Sequence, residues 1–69
     1  MLRHYTLAEL EAMPTLHSGQ YDNLKIETAD TRVWLARIGA ADGMPYDNGV
    51  TVETLTDGRW VTTETYEAV

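Results

Sequence analysis

The twenty residues from Val50 to Val69 read as one β-hairpin, and no other segment restricts the fold as strongly. Valine and threonine fill both arms, while Asp57-Gly58 stands between Leu55 and Trp60, where a reversing chain needs positive φ. Two registers satisfy this pattern. A two-residue Asp57-Gly58 turn sets Leu55 opposite Trp60, Glu53 opposite Thr62 and Thr51 opposite Glu64, leaving Val50, Val52 and Val61 on the other side. A three-residue Thr56-Asp57-Gly58 loop with a bulge slips the pairing by one and sends Trp60 to the valine face. Either way the hairpin fixes a small sheet as the architecture, and it carries no nucleophile, metal cluster or phosphate loop.

Residues 24–38 form a second hairpin pattern that turns near Ala29-Asp30. Its register pairs Glu27 with Arg32, Ile26 with Val33, Lys25 with Trp34 and Leu24 with Leu35, four compatible cross-strand neighbours. Alternation then puts Leu24, Ile26, Val33 and Leu35 on an inner face and Lys25, Glu27, Arg32 and Trp34 on an outer one. Upstream, Thr6 and Glu9 have capping-box spacing, and Tyr5 and Leu10 occupy the two positions of a hydrophobic staple. A helix over about 7–13 follows, with Leu7, Leu10 and Met13 as its apolar stripe and Pro14 as its stop. So short a helix needs a sheet to lie on. Residues 15–23 read as an irregular connection. The expected fold is therefore α+β: one domain, residues 1–69, with a short N-terminal helix packed on a four-stranded antiparallel β-meander built from hairpins at about 24–38 and 50–66.

Composition narrows the setting. A chain of 69 residues with 43% apolar content has room for one thin core. Cysteine is absent and no apolar run approaches the roughly 18 residues that span a bilayer, which points to a soluble cytoplasmic protein with no membrane association. The net charge is −6, and it is unevenly placed: residues 1–41 hold five acids against four bases, whereas residues 42–69 hold six acids against Arg59 alone. Such a field repels phosphate backbones and attracts basic surfaces, so direct nucleic-acid binding is not expected.

Candidate chemistry is sparse. His17 and Ser18 are adjacent, but neighbouring side chains rarely face one another, and no oxyanion-hole turn accompanies them. No two histidines have zinc-ligand spacing, and the oxygens of the 39–49 connection do not follow a calcium-loop pattern. Neither a catalytic residue, a metal nor a cofactor is expected, and the chain does not read as an enzyme. The 39–49 connection is long for a hairpin and mixes contact area, Met44 and Tyr46 around Pro45, with the oxygens of Asp42 and Asp47. It serves either as a binding tip or as a cover for the end of the core. Trp34, Leu55 and Trp60 form an exposed apolar patch if they share the outer face. The competing reading packs each tryptophan in the core or under a long side chain, as Trp34 between Lys25 and Arg32.

At Arg32-Val-Trp-Leu-Ala-Arg37, Asp42-Gly-Met-Pro-Tyr-Asp-Asn-Gly-Val50 and Asp57-Gly-Arg-Trp-Val61 the chain resembles short proteins encoded by actinobacteria and their phages, over roughly residues 24–66. The resemblance implies a phage or mobile-element origin and, by analogy, an accessory role exercised on a host protein. It implies no activity. The functional expectation is a small acidic interaction module that binds a protein with a basic surface, with Trp34, Met44, Tyr46 and Trp60 as anchors and Asp42, Asp47, Glu53 and Glu64 steering the encounter. Mimicry of nucleic acid is a sharper form of this expectation. The alternative is a structural or assembly subunit that uses a sheet face or edge, including as a homodimer.

Overall fold

The computed structural model describes residues 3–36 and 48–69. In chain order these form α1 (Leu7–Ala12), β1 (His17–Ser18), β2 (Asp22–Glu27), β3 (Thr31–Ala36), β4 (Gly49–Thr56) and β5 (Arg59–Glu67). The strands make one antiparallel sheet in the order β1-β2-β3-β4-β5, each paired with its sequence neighbour. The meander thus has five strands and not four. The extra strand lies in the segment expected to be irregular: Leu16 N–H donates to Leu24 O at 2.8 Å, and Gly19 N–H to Asp22 O at 2.7 Å closes the turn into β2. A two-residue strand needs only these backbone bonds, so it leaves no hydrophobic alternation to read.

Local chemistry sets the ends of α1. Thr6 Oγ1 accepts from Glu9 N–H and Glu9 Oε1 accepts from Thr6 N–H, a complete capping box. The Thr6 bond and then the Arg3 guanidinium hold the Glu9 carboxyl below its usual range. Met13 leaves the helix in an extended conformation ahead of Pro14. Leu10 carries the packing: it is wholly buried among Val33, Leu35, Val50, Val52 and Ala68, with Tyr5, Leu7, Met13, Ile26 and Tyr66 around the margin. The N-terminal segment is also tied to β5. Tyr5 N–H donates to Tyr66 Oη at 2.9 Å, Tyr66 O–H donates to Tyr5 O at 3.2 Å, and His4 stacks on the Tyr66 ring and pairs with Glu64.

The turns differ in kind. Asp57 and Gly58 both have positive φ, at 51° and 79°, the signature of a type I′ turn, and they pair Leu55 with Trp60 and Glu53 with Thr62 as the two-residue register requires. At the other hairpin Ala29 and Asp30 keep negative φ. There the Thr28 hydroxyl accepts from Thr31 N–H while Thr28 N–H donates to Thr31 O.

Two bulges overturn the simple alternation. In β2, Ile26 pairs with Val33 but Leu24 pairs with Trp34, leaving Lys25 as an extra residue. Leu24 therefore leaves the inner face for the side of Trp34. Lys25 leaves the outer face and donates its ammonium to Met13 O and Thr15 Oγ1 at the end of α1. Neither the expected Lys25–Trp34 pair nor a Trp34 held between two cations exists. In β5, Thr63 is the extra residue, so Thr51 meets Thr65 instead of Glu64, and Glu64 and Tyr66 cross to the helix side. Thr63 fills the irregularity by bonding Thr54 Oγ1 at 2.9 Å and Val52 O at 3.4 Å.

Candidate functional site: the outer face of the sheet

Strand alternation divides the molecule into a face used for folding and a face left over. Val33, Leu35, Val50 and Val52 point under α1. Their neighbours Arg32, Trp34, Thr51 and Glu53 point away from it, and across the sheet Arg32 pairs with Glu53 and Trp34 with Thr51. Leu55 and Trp60 join them at the tip of the last hairpin.

Each aromatic ring on this face is oriented by a charged partner. Trp34 Nε1–H donates to Glu53 Oε1 at 2.6 Å, and the edge of His17 meets the Trp34 ring at 6.2 Å and 85°. The Arg32 guanidinium lies over Trp60, 4.1 Å from its centroid, while Arg32 Nε–H donates to Glu27 Oε2 at 2.7 Å. A cation on a ring face that is also paired to a carboxylate is fixed from two sides, so both tryptophans are held in place before any contact is made.

Beside Trp34 lies a cleft of about 370 Å³ lined by Leu16, His17, Leu24, Glu27, Arg32 and Trp34. Leu24 is 5% exposed and Leu16 is 55% exposed. Asp22 stands at one side: a Cβ on Gly19 would sit 2.9 Å from its Oδ1 and 3.5 Å from Trp34 Cζ3, so the turn at Gly19 lies close to both the carboxylate and the indole. Partial burial, then repulsion from Glu53, pushes the Asp22 carboxyl above its usual range.

Of the eight residues expected to contact a partner, Trp34, Glu53 and Trp60 come together here. Glu64 does not, because the Thr63 bulge turns it toward His4 on the helix side. Asp42, Met44, Tyr46 and Asp47 lie outside the described residues. Asp22, Leu16, His17 and Leu24 were not foreseen at this site. All four depend on β1 and the Lys25 bulge, for which alternation gives no signal.

His17 and Ser18 are successive residues of a strand, so their side chains project to opposite sides and do not form a nucleophile and base. Among the described residues no group of three or more histidine and carboxylate side chains could hold a metal ion, and no helix is long and apolar enough to cross a membrane. Comparison with protein-family models, curated proteins and solved structures finds no match to this chain.

Proposed function

We propose that the protein is a non-enzymatic binding module that docks the outer face of its sheet on another protein, as an accessory factor of phage or mobile-element origin acting on a host protein. The observation that carries this reading is the position of the two tryptophans. Both lie outside the hydrophobic core, and each is fixed by a charged neighbour, Trp34 by Glu53 and Trp60 by Arg32. Tryptophan and arginine are the residues most often dominant in interfaces, and rings that are already oriented lose little rotamer freedom on binding. Assembly through the free edge of β5 is the weaker reading, since the Thr63 bulge interrupts the regular row of backbone groups that edge pairing requires.

The test is affinity capture from a lysate of the native host with the wild-type chain, Trp60→Ala and Leu16→Ser. Both variants should keep the far-ultraviolet circular dichroism of the wild type and lose the captured protein. Undiminished capture by both would overturn the assignment of this face.

A further inference from the structure

The Lys25 bulge places Asn23 opposite Leu35 on the helix side, the position that unbroken alternation assigns to Leu24. An amide thus stands where the neighbouring leucine would have packed. Asn23 Oδ1 is buried and accepts no hydrogen bond, and no other side-chain nitrogen or oxygen among the described residues is in that condition. The Nδ2 group of Asn23 makes no hydrogen bond among them either. Burying an acceptor without pairing it works against folding, so the chain carries a cost here that a hydrogen-bonded occupant would remove.

Space for an occupant lies beside the amide. A cavity of about 370 Å³ opens between α1 and the β2–β3 pair, with Leu7 and Glu11 from the helix, Asn23 and Lys25 from β2, and Leu35 and Ala36 from β3 as its walls. That volume falls within the span of small-ligand sites, roughly 300–1,000 Å³. The Lys25 ammonium is taken by Met13 O and Thr15 Oγ1, and Glu11 is exposed, so no unpaired buried charge selects an ion. What the cavity leaves unsatisfied is one carboxamide, an acceptor beside a donor.

We infer that this cavity binds a small neutral amide or lactam whose N–H donates to Asn23 Oδ1 while its carbonyl accepts from Asn23 Nδ2. Turning the Asn23 carboxamide over exchanges its two atoms and leaves the same complement, so the ligand class does not depend on that assignment. A water would pair with Oδ1 alone, whereas a lactam edge engages both atoms and fills the space beside Leu7. The site lies on the opposite side of the sheet from Trp34 and Trp60, so it stands or falls independently of the docking face.

The probe is γ-butyrolactam at millimolar concentration, added to ¹⁵N-labelled protein, with its N-methyl derivative as the control that keeps ring and carbonyl but lacks the N–H. The lactam should give saturable shifts of the Asn23 side-chain amide and of the backbone amides of Lys25, Leu35 and Ala36, with the Trp34 and Trp60 indole resonances unmoved. The control should give none. Asn23→Leu should abolish the response and also unfold at a higher urea concentration than the wild type, because the unpaired acceptor is gone. Asn23→Asp keeps an acceptor and loses the donor, and should weaken the lactam about fivefold or more, the scale of one hydrogen bond. Shifts that do not saturate, an equal response to the N-methyl derivative, or unchanged affinity in either variant would overturn the inference. So would a wild type more stable than Asn23→Leu, since Oδ1 would then already be satisfied by water.

Discussion

Replacing Leu10 with alanine removes the one wholly buried side chain that α1 contributes to the core. Its neighbours Val33, Leu35, Val50 and Val52 sit on two paired strands and cannot all move inward, so most of the vacated volume should persist as a cavity. A buried leucine truncated under such constraint costs about 3 kcal/mol, within the usual span of ~2–5. Helix propensity works slightly in the opposite direction, since alanine is the better helix former, so the loss is one of packing. For a chain of this length total stability is on the order of 3.5–10 kcal/mol. The variant should therefore lose a third or more of it and melt about 12–24 °C lower. Urea titration followed by far-ultraviolet circular dichroism reads the change directly, with an unchanged m-value if the unfolded state is unaffected. Leu16→Ala is the matched control: the same atoms leave a side chain that is 55% exposed, and stability should move by less than about 0.5 kcal/mol. A loss below about 1 kcal/mol for Leu10→Ala, or equal losses in the two variants, would refute the packing of α1 on this face.

Tyr66→Phe removes both hydrogen bonds that join β5 to Tyr5 and should cost about 1–2 kcal/mol in the same titration, with faster amide exchange at Tyr5 as its local sign. Asp22 has a raised carboxyl pKa, so its stability contribution is complete below its ordinary value of 3.8 and is lost as pH rises through the folded value. Asp22→Asn should accordingly be more stable than wild type at pH 7 by a few tenths of a kcal/mol, screened as this group is, and the gap should close near pH 3. Glu9 runs the other way: its pKa is lowered from 4.5, so the stability it confers above that value fades as acid is added, and Glu9→Gln should flatten that limb of the pH profile. Gly58→Ala meets no atom within 4 Å, yet must hold φ near +79°, so it should lose about 1 kcal/mol through backbone strain alone.

What the sequence made legible was chemistry confined to a few neighbouring residues. Thr6 and Glu9 make both bonds of the capping box, and Asp57-Gly58 makes the I′ turn that settles the last hairpin in favour of the two-residue register. Leu55–Trp60 and Ile26–Val33 pair as expected because each lies between its turn and the first irregularity. Beyond Lys25 and Thr63 the alternation inverts. Neither bulge has a local cause: Lys25 is held by Met13 O and Thr15 Oγ1, twelve and ten residues away, and Thr63 by Thr54 and Val52 across the hairpin. The five-strand count escaped for a similar reason. His17–Ser18 pairs through its backbone and buries nothing of its own.

The Lys25 bulge matters more for the surface than for the core. Without it Leu24 would stand opposite Leu35 under α1, and Lys25 would cover Trp34 from outside. With the extra residue, Leu24 becomes the wall of a cleft beside Trp34, and the ammonium moves away to the end of the helix. The same inversion brings Asp22 to the outer side and Asn23 to the inner one. One inserted residue thus takes a cation off the outer face, leaves Trp34 half-buried beside Leu24 and adds a carboxylate to the same side. The core tolerates this because Val33, Leu35, Val50 and Val52 on β3 and β4 are in unbroken register and, with Ala68, still enclose Leu10. β2 can therefore bend at Lys25 and turn Leu24 and Asp22 to the opposite face while Ile26 stays on the core margin, and β3 and β4 serve both sides, with Val33, Leu35, Val50 and Val52 inward and Arg32, Trp34 and Glu53 outward.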